Sequence, residues 1–149
     1  MQIARIGPWQ FAMPEGLLHK PSERFDSYFE NEERTLGLYV RDLEATEAKL
    51  SASQYAEYIQ SVYLAAFKED TPDAWETVDQ RLSTDGELAR SALDIYDRSA
   101  NYRVLSLVVA TNVDAVQINV HDYWCEDYQA AKSMFSSLER SIVRIASSD

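Results

Sequence analysis

Apolar and polar positions alternate along this chain in a way that predicts seven strands and two helices. Trp9, Phe11 and Met13 alternate with Gln10 and Ala12, so residues 2–13 read as a first strand that Pro14, Glu15 and Gly16 interrupt. Residues 17–22 carry His19 and Pro21 without periodicity and read as a loop. A hairpin follows. Its arms are residues 24–30, with Phe25 and Phe29 on one face, and residues 35–41, where Leu36, Leu38 and Val40 repeat with period two. Gly37 falls opposite that apolar row, where its missing side chain suits a bulge or the close approach of another group.

A first helix lies within residues 42–70. Its firm part starts at Ser51, because Ser51 and Gln54 have capping-box spacing. Tyr55, Ile59, Val62, Tyr63, Ala66 and Phe67 recur at helical spacing and form the stripe expected to face the core. Thr71 precedes Pro72 and ends the helix. Residues 75–82 and 87–96 flank Asp85-Gly86, the strongest hairpin signal in the chain. Residues 102–111 are an almost unbroken apolar run rich in β-branched residues, as a strand buried on both faces requires.

Residues 115–124 alternate cleanly. Val116, Ile118, Val120 and Trp124 are expected in the core, and Gln117, Asn119, His121 and Tyr123 on a solvated face. The last helix starts at the N-cap Asp127, with Ala131, Met134, Phe135, Leu138, Ile142 and Ile145 as its inner stripe. The whole reads as one α+β domain spanning residues 1–149. Its antiparallel sheet has about seven strands, in the order β-β-β-α-β-β-β-β-α.

That order, together with three local features, is similar to the PsbP-like fold of photosystem P subunits and Ran-binding Mog proteins. The features are the opening Trp9 to Gly16 segment, the strand from Thr35 to Arg41 leading into the first helix, and the closing helix with Phe135, Leu138, Ser141 and Ile142. The resemblance implies a binding, scaffold or adaptor protein rather than a catalyst. It also implies a likeness to small immunity proteins that neutralise toxins of bacterial secretion systems.

The composition limits the partners. With 25 carboxylates against 14 Lys and Arg, the formal net charge is −11, which disfavours nucleic acid held through its phosphates and favours a basic protein. Neither a signal-peptide pattern nor an apolar run long enough to span a membrane is visible, so the expected location is the cytoplasm. Cys125 is the single cysteine, which excludes an internal disulfide.

The chemistry-bearing residues were weighed against simpler roles. His121, Asp122, Cys125, Glu126 and Asp127 form the densest cluster, and a Cys–His pair there is the basis for an alternative reading as a small enzyme or ligand-binding domain. No Gly-rich turn supplies an oxyanion hole, and Cys125 equally suits an inert small hydrophobe. His19 is the only other histidine, which leaves no metal-ligand spacing, and no motif calls for a cofactor. Asp79, Asp94 and Asp97 read as solvated strand carboxylates.

The favoured reading is therefore a non-enzymatic binding protein, with a basic toxin as its most concrete partner. Its expected contact residues are Gln117, Asn119, His121 and Tyr123 on the polar strand face, the anchors Trp9 and Tyr39, and the acidic turn residues Glu30, Glu32 and Glu33. A second layer or a homodimer covering the polar face is the competing reading for those strand residues.

Overall fold

Strand Trp9–Met13 (β2) pairs with Gln2–Ile6 (β1), and Trp9, Phe11 and Met13 all point inward, as their alternation predicts. The single strand expected over residues 2–13 is thus a hairpin, turned at Gly7, which has φ +54°. A side chain at Gly7 would collide with the Asp42 carboxylate. The computed structural model describes residues 2–20, 27–45 and 49–145, so the expected positions of Arg24 and Phe25 lie outside the described residues.

Seven strands form the main antiparallel sheet: Leu17–Lys20 (β3), Ser27–Asn31 (β4), Leu36–Glu44 (β5), Trp75–Asp85 (β6), Leu88–Asp97 (β7), Tyr102–Ala110 (β8) and Asp114–Asp122 (β9). Their order is β3-β4-β5-β9-β8-β7-β6. The expected loop at residues 17–22 begins as an edge strand, since Leu17 pairs with Asn31 and Lys20 with Tyr28. The expected four-strand meander is present as β6-β7-β8-β9, and Gly86 takes φ +62° in the turn joining its first two strands. Strand β6 is the other edge. It is almost wholly exposed and its register shifts between Thr77 and Asp79.

Helix Ala52–Asp70 (α1) begins at the capping box anticipated from Ser51 and Gln54. The Gln54 N–H donates to Ser51 Oγ at 3.2 Å, and the Ser51 N–H donates to Gln54 Oε1 at 2.9 Å. Helix Tyr128–Ser141 (α2) is capped by Asp127, which accepts from the Ala130 N–H at 3.1 Å. It stops earlier than its apolar stripe suggested. Ile142 is already extended, and Val143–Arg144 (β10) pairs with β2 to complete a three-stranded second sheet.

The main sheet is therefore sandwiched. On one face β2 and α2 close a continuous apolar core, in which Trp9, Phe11, Leu38, Leu107, Ile118 and Phe135 meet. On the other face lies α1, whose apolar contacts fall into two smaller clusters. Tyr55 and Ile59 pack near Ala89 and Val108, while Tyr63 and Phe67 pack near Leu93, Ile95 and Val104. This second face carries the candidate site.

Candidate functional site

Strand β9 sends Gln117, Asn119 and His121 toward the α1 side, as the alternation predicts, but that side is not solvated at these positions. Gln117 is 0% and Asn119 1% exposed, and His121 is buried as well. A second layer, the competing reading, is what covers them. The row is satisfied largely by its own hydrogen bonds: Gln117 Nε2 donates to Ser106 Oγ at 3.3 Å, and the Ser106 hydroxyl donates to Asn119 Oδ1 at 2.5 Å. From above, Gln60 of α1 donates to the carbonyls of Ser91 and Ser106 at 3.1 and 2.9 Å. Among the described residues, Gln60 Oε1 and Gln117 Oε1 have no partner.

His121 sits at the centre of an aromatic cluster. Tyr63 Oη lies 3.0 Å from Nε2, and Tyr102 Oη bonds to Nδ1, so both ring nitrogens are occupied. Burial pushes the imidazole down to about 3, and burial likewise raises the Tyr63, Tyr102 and Tyr123 hydroxyls above their ordinary range. The ring is neutral at physiological pH. One tyrosine must then donate to it while the other accepts.

Beyond this cluster the face opens. Tyr28 stacks on Tyr39 with ring centroids 4.4 Å apart, Tyr28 donates to Glu30 Oε2 at 2.8 Å, and the Tyr39 and Tyr123 hydroxyls are 2.8 Å apart. The expectation for Gly37 is met here. A methyl group there would stand 2.8 Å from Tyr123 Oη and 3.1 Å from Tyr28 Cε2, so the missing side chain is what lets both tyrosines close over β5. These tyrosines and Glu30 are half-buried, while Glu32 and Glu33 are exposed in the turn beside them.

Continuing along β5, a groove of about 730 Å³ separates the sheet from α1. Arg41, Leu43 and Gln117 line its sheet side, and Tyr58, Ile59 and Val62 line its helix side. Its existence corrects the expected helix stripe. Val62 is 54% exposed and Ala66 is exposed too, because α1 lies over β6, β7 and β8 and leaves β5 open beneath that part of the helix. The volume lies within the range of ligand-binding clefts, and the lining is mainly apolar.

Other expected residues are redistributed. Trp9 is buried in the opposite layer and is not available as a surface anchor, whereas Trp124, expected in the core, is 59% exposed. The alternation ends at Asp122, whose Oδ1 accepts the N–H groups of Trp124 and Cys125 and turns the chain out of the sheet. Cys125 ends up on the α2 side, 3.5 Å from Arg103 Nη1, so it does not meet His121 and the alternative Cys–His site is not assembled. Asp94 and Asp97 are buried rather than solvated. Asp94 pairs with Arg103 at 2.9 Å and accepts from Tyr128 at 2.5 Å, which with burial pushes Tyr128 up to about 12. Asp97 accepts from the Ser99 N–H and hydroxyl.

No family model matches the sequence, and no curated protein does. Solved structures do resemble this fold. Cyanobacterial PsbP (CyanoP) from Synechocystis sp. PCC 6803 superposes with a TM-score of 0.70 at 13% identity, over 92% of this chain and 86% of that one. The Ran-binding protein Mog1p of Saccharomyces cerevisiae gives a TM-score of 0.61 at 10% identity, over 97% and 96% of the two chains. The fold expected from the element order is thus the PsbP/Mog-like one.

Sequence reasoning missed Arg41, Tyr28, Tyr63, Tyr102 and Gln60, the residues that build the site around the polar row. Gly37 was the available clue, since a strand glycine opposite an apolar row marks a place where other groups close in.

Proposed function

We propose that this protein is a non-enzymatic binding module that holds a partner polypeptide on the open half of the α1 face, with an apolar segment of the partner in the groove. The observation that carries this reading is the groove itself: its helix wall presents Tyr58 and Val62, 61% and 54% exposed, on a chain with a net charge of −11. Apolar side chains gathered along a cleft in an otherwise acidic protein mark a place that another molecule covers. The half-buried Tyr39 and Tyr123 supply aromatic contact area next to it, and Glu30, Glu32 and Glu33 supply charge complementary to a basic partner. The Ran-binding function of Mog1p lends general support to protein binding on this fold.

A toxin is the finer form of the proposal, supported by the acidic balance alone. The test is affinity capture from the native host with the wild-type protein and with Val62→Arg, a substitution at an exposed position. The expected result is a stoichiometric polypeptide that the wild type retains and the variant loses. Equal retention by both proteins would remove the groove from the binding surface. Rescue of cell growth when the captured partner is co-expressed with this protein would support the toxin reading, and a partner harmless on its own would end it.

A further inference from the structure

The polar pair on the floor of the groove gives its occupant a chemical identity. Arg41 and Gln117 are direct cross-strand partners on β5 and β9, so their side chains rise from the same face about 5 Å apart at Cβ. Arg41 has no hydrogen-bond or ion-pair partner among the described residues, and Gln117 is fully buried with Oε1 unpartnered among them. The orientation of the Gln117 amide is set by its neighbours. The Ser106 hydroxyl already donates to Asn119, so toward Gln117 it can only accept, which turns the Gln117 nitrogen to Ser106 and leaves the oxygen over. The floor therefore offers an unused donor fork beside an unused acceptor.

We infer that the groove selects an apolar polypeptide segment carrying one carboxamide side chain, Asn or Gln, whose oxygen accepts from Arg41 and whose nitrogen donates to Gln117 Oε1. The inference rests on the groove being the polypeptide site. A wholly apolar segment would cover the Gln117 oxygen without giving it a donor, and would desolvate Arg41 as well. A carboxylate would satisfy Arg41 but face the Gln117 oxygen, with Glu44 lining the same groove. A carboxamide answers both groups at once.

The test uses the full chain and three fluorescein-labelled helical peptides, identical Ala/Leu-rich hosts flanked by Lys, with Asn, Asp or Leu at the central position. Fluorescence anisotropy at physiological salt is expected to rank the Asn peptide first, with the Leu and Asp peptides about tenfold weaker, the size of one hydrogen bond to a charged group. Arg41→Met keeps the apolar stem on an exposed strand position and removes the donor, so it is expected to narrow the Asn-to-Leu ratio to about threefold or less. Equal affinity of wild type for the Asn and Leu peptides would overturn the inference and leave the groove as a purely apolar site. An unchanged ratio in Arg41→Met would also overturn it. Binding of none of the three would remove the polypeptide reading and this inference with it.

Discussion

The two faces of β9 are equally buried and differently built. On one, Val116, Ile118 and Val120 join an apolar core that runs unbroken from Trp9 to Leu138. On the other, Gln117, Asn119 and His121 are held by hydrogen bonds to β8 and to side chains of α1 and β8, and the apolar contacts of that layer split into two clusters on either side of the polar row. Burial alone therefore does not tell the faces apart. Apolar burial contributes free energy in proportion to area, whereas an internal hydrogen bond only replaces one to water and contributes little net, yet is costly if one partner is removed. The first layer supplies cohesion. The second fixes where α1 lies, over β6 to β8, and so fixes the width of the groove.

Substitutions on each face should break the comparison in different ways. The largest effect is expected from Phe135→Ala in the apolar layer: a loss of about 3–5 kcal/mol in urea unfolding, since the ring is nearly fully buried against the sheet. A loss below about 1 kcal/mol would mean that α2 is not essential to that core.

His121→Phe probes the polar layer. It strips the Tyr63 and Tyr102 hydroxyls of their partner and is expected to cost about 1–3 kcal/mol at pH 7.5. The variant should also change the response to acid. With the folded imidazole held down to about 3, the unfolded chain binds a proton there below its ordinary 6.5 while the native state does not. The stability from this group is complete above pH 6.5 and is lost as pH falls toward 3, by up to about 1.4 kcal/mol per pH unit. Unfolding at pH 7.5 and pH 5 should thus separate wild type from variant, with the variant losing less. Parallel curves would show that His121 is not the group responsible.

The smallest effect is expected from Val62→Ser on the groove wall, within about 0.5 kcal/mol of wild type, because the side chain already faces solvent. A larger loss would place Val62 in the core stripe that its spacing first suggested.

That last contrast shows what could be read from the residues and what could not. The strands of the meander, the cap at Ser51 and the inward rows of β2 and α2 follow from period and capping chemistry, which are local. Alternation correctly put Gln117, Asn119 and His121 opposite Val116, Ile118 and Val120. Whether a polar row meets water depends on what is laid over it, and that is decided by the placement of α1, residues 52–70, more than forty positions earlier in the chain. The pairing of Gln60 with the Ser91 and Ser106 carbonyls has no local signature, and neither does the occupation of His121 by two tyrosines. Trp124 was misplaced for a local reason: Asp122 ends the pleat with an Asx turn, and the period-two pattern no longer applies beyond it.

The edge strand β6 has a consequence for how partners can be recognised. Its outer side is studded with Glu76, Asp79, Arg81 and Asp85 and interrupted by the register shift at Thr77, features that stop a neighbouring chain from adding a strand and propagating the sheet from molecule to molecule. With this edge closed to main-chain templating, recognition falls to side chains on a face. The molecule can then discriminate among sequences, where a bare strand edge would accept almost any extended peptide.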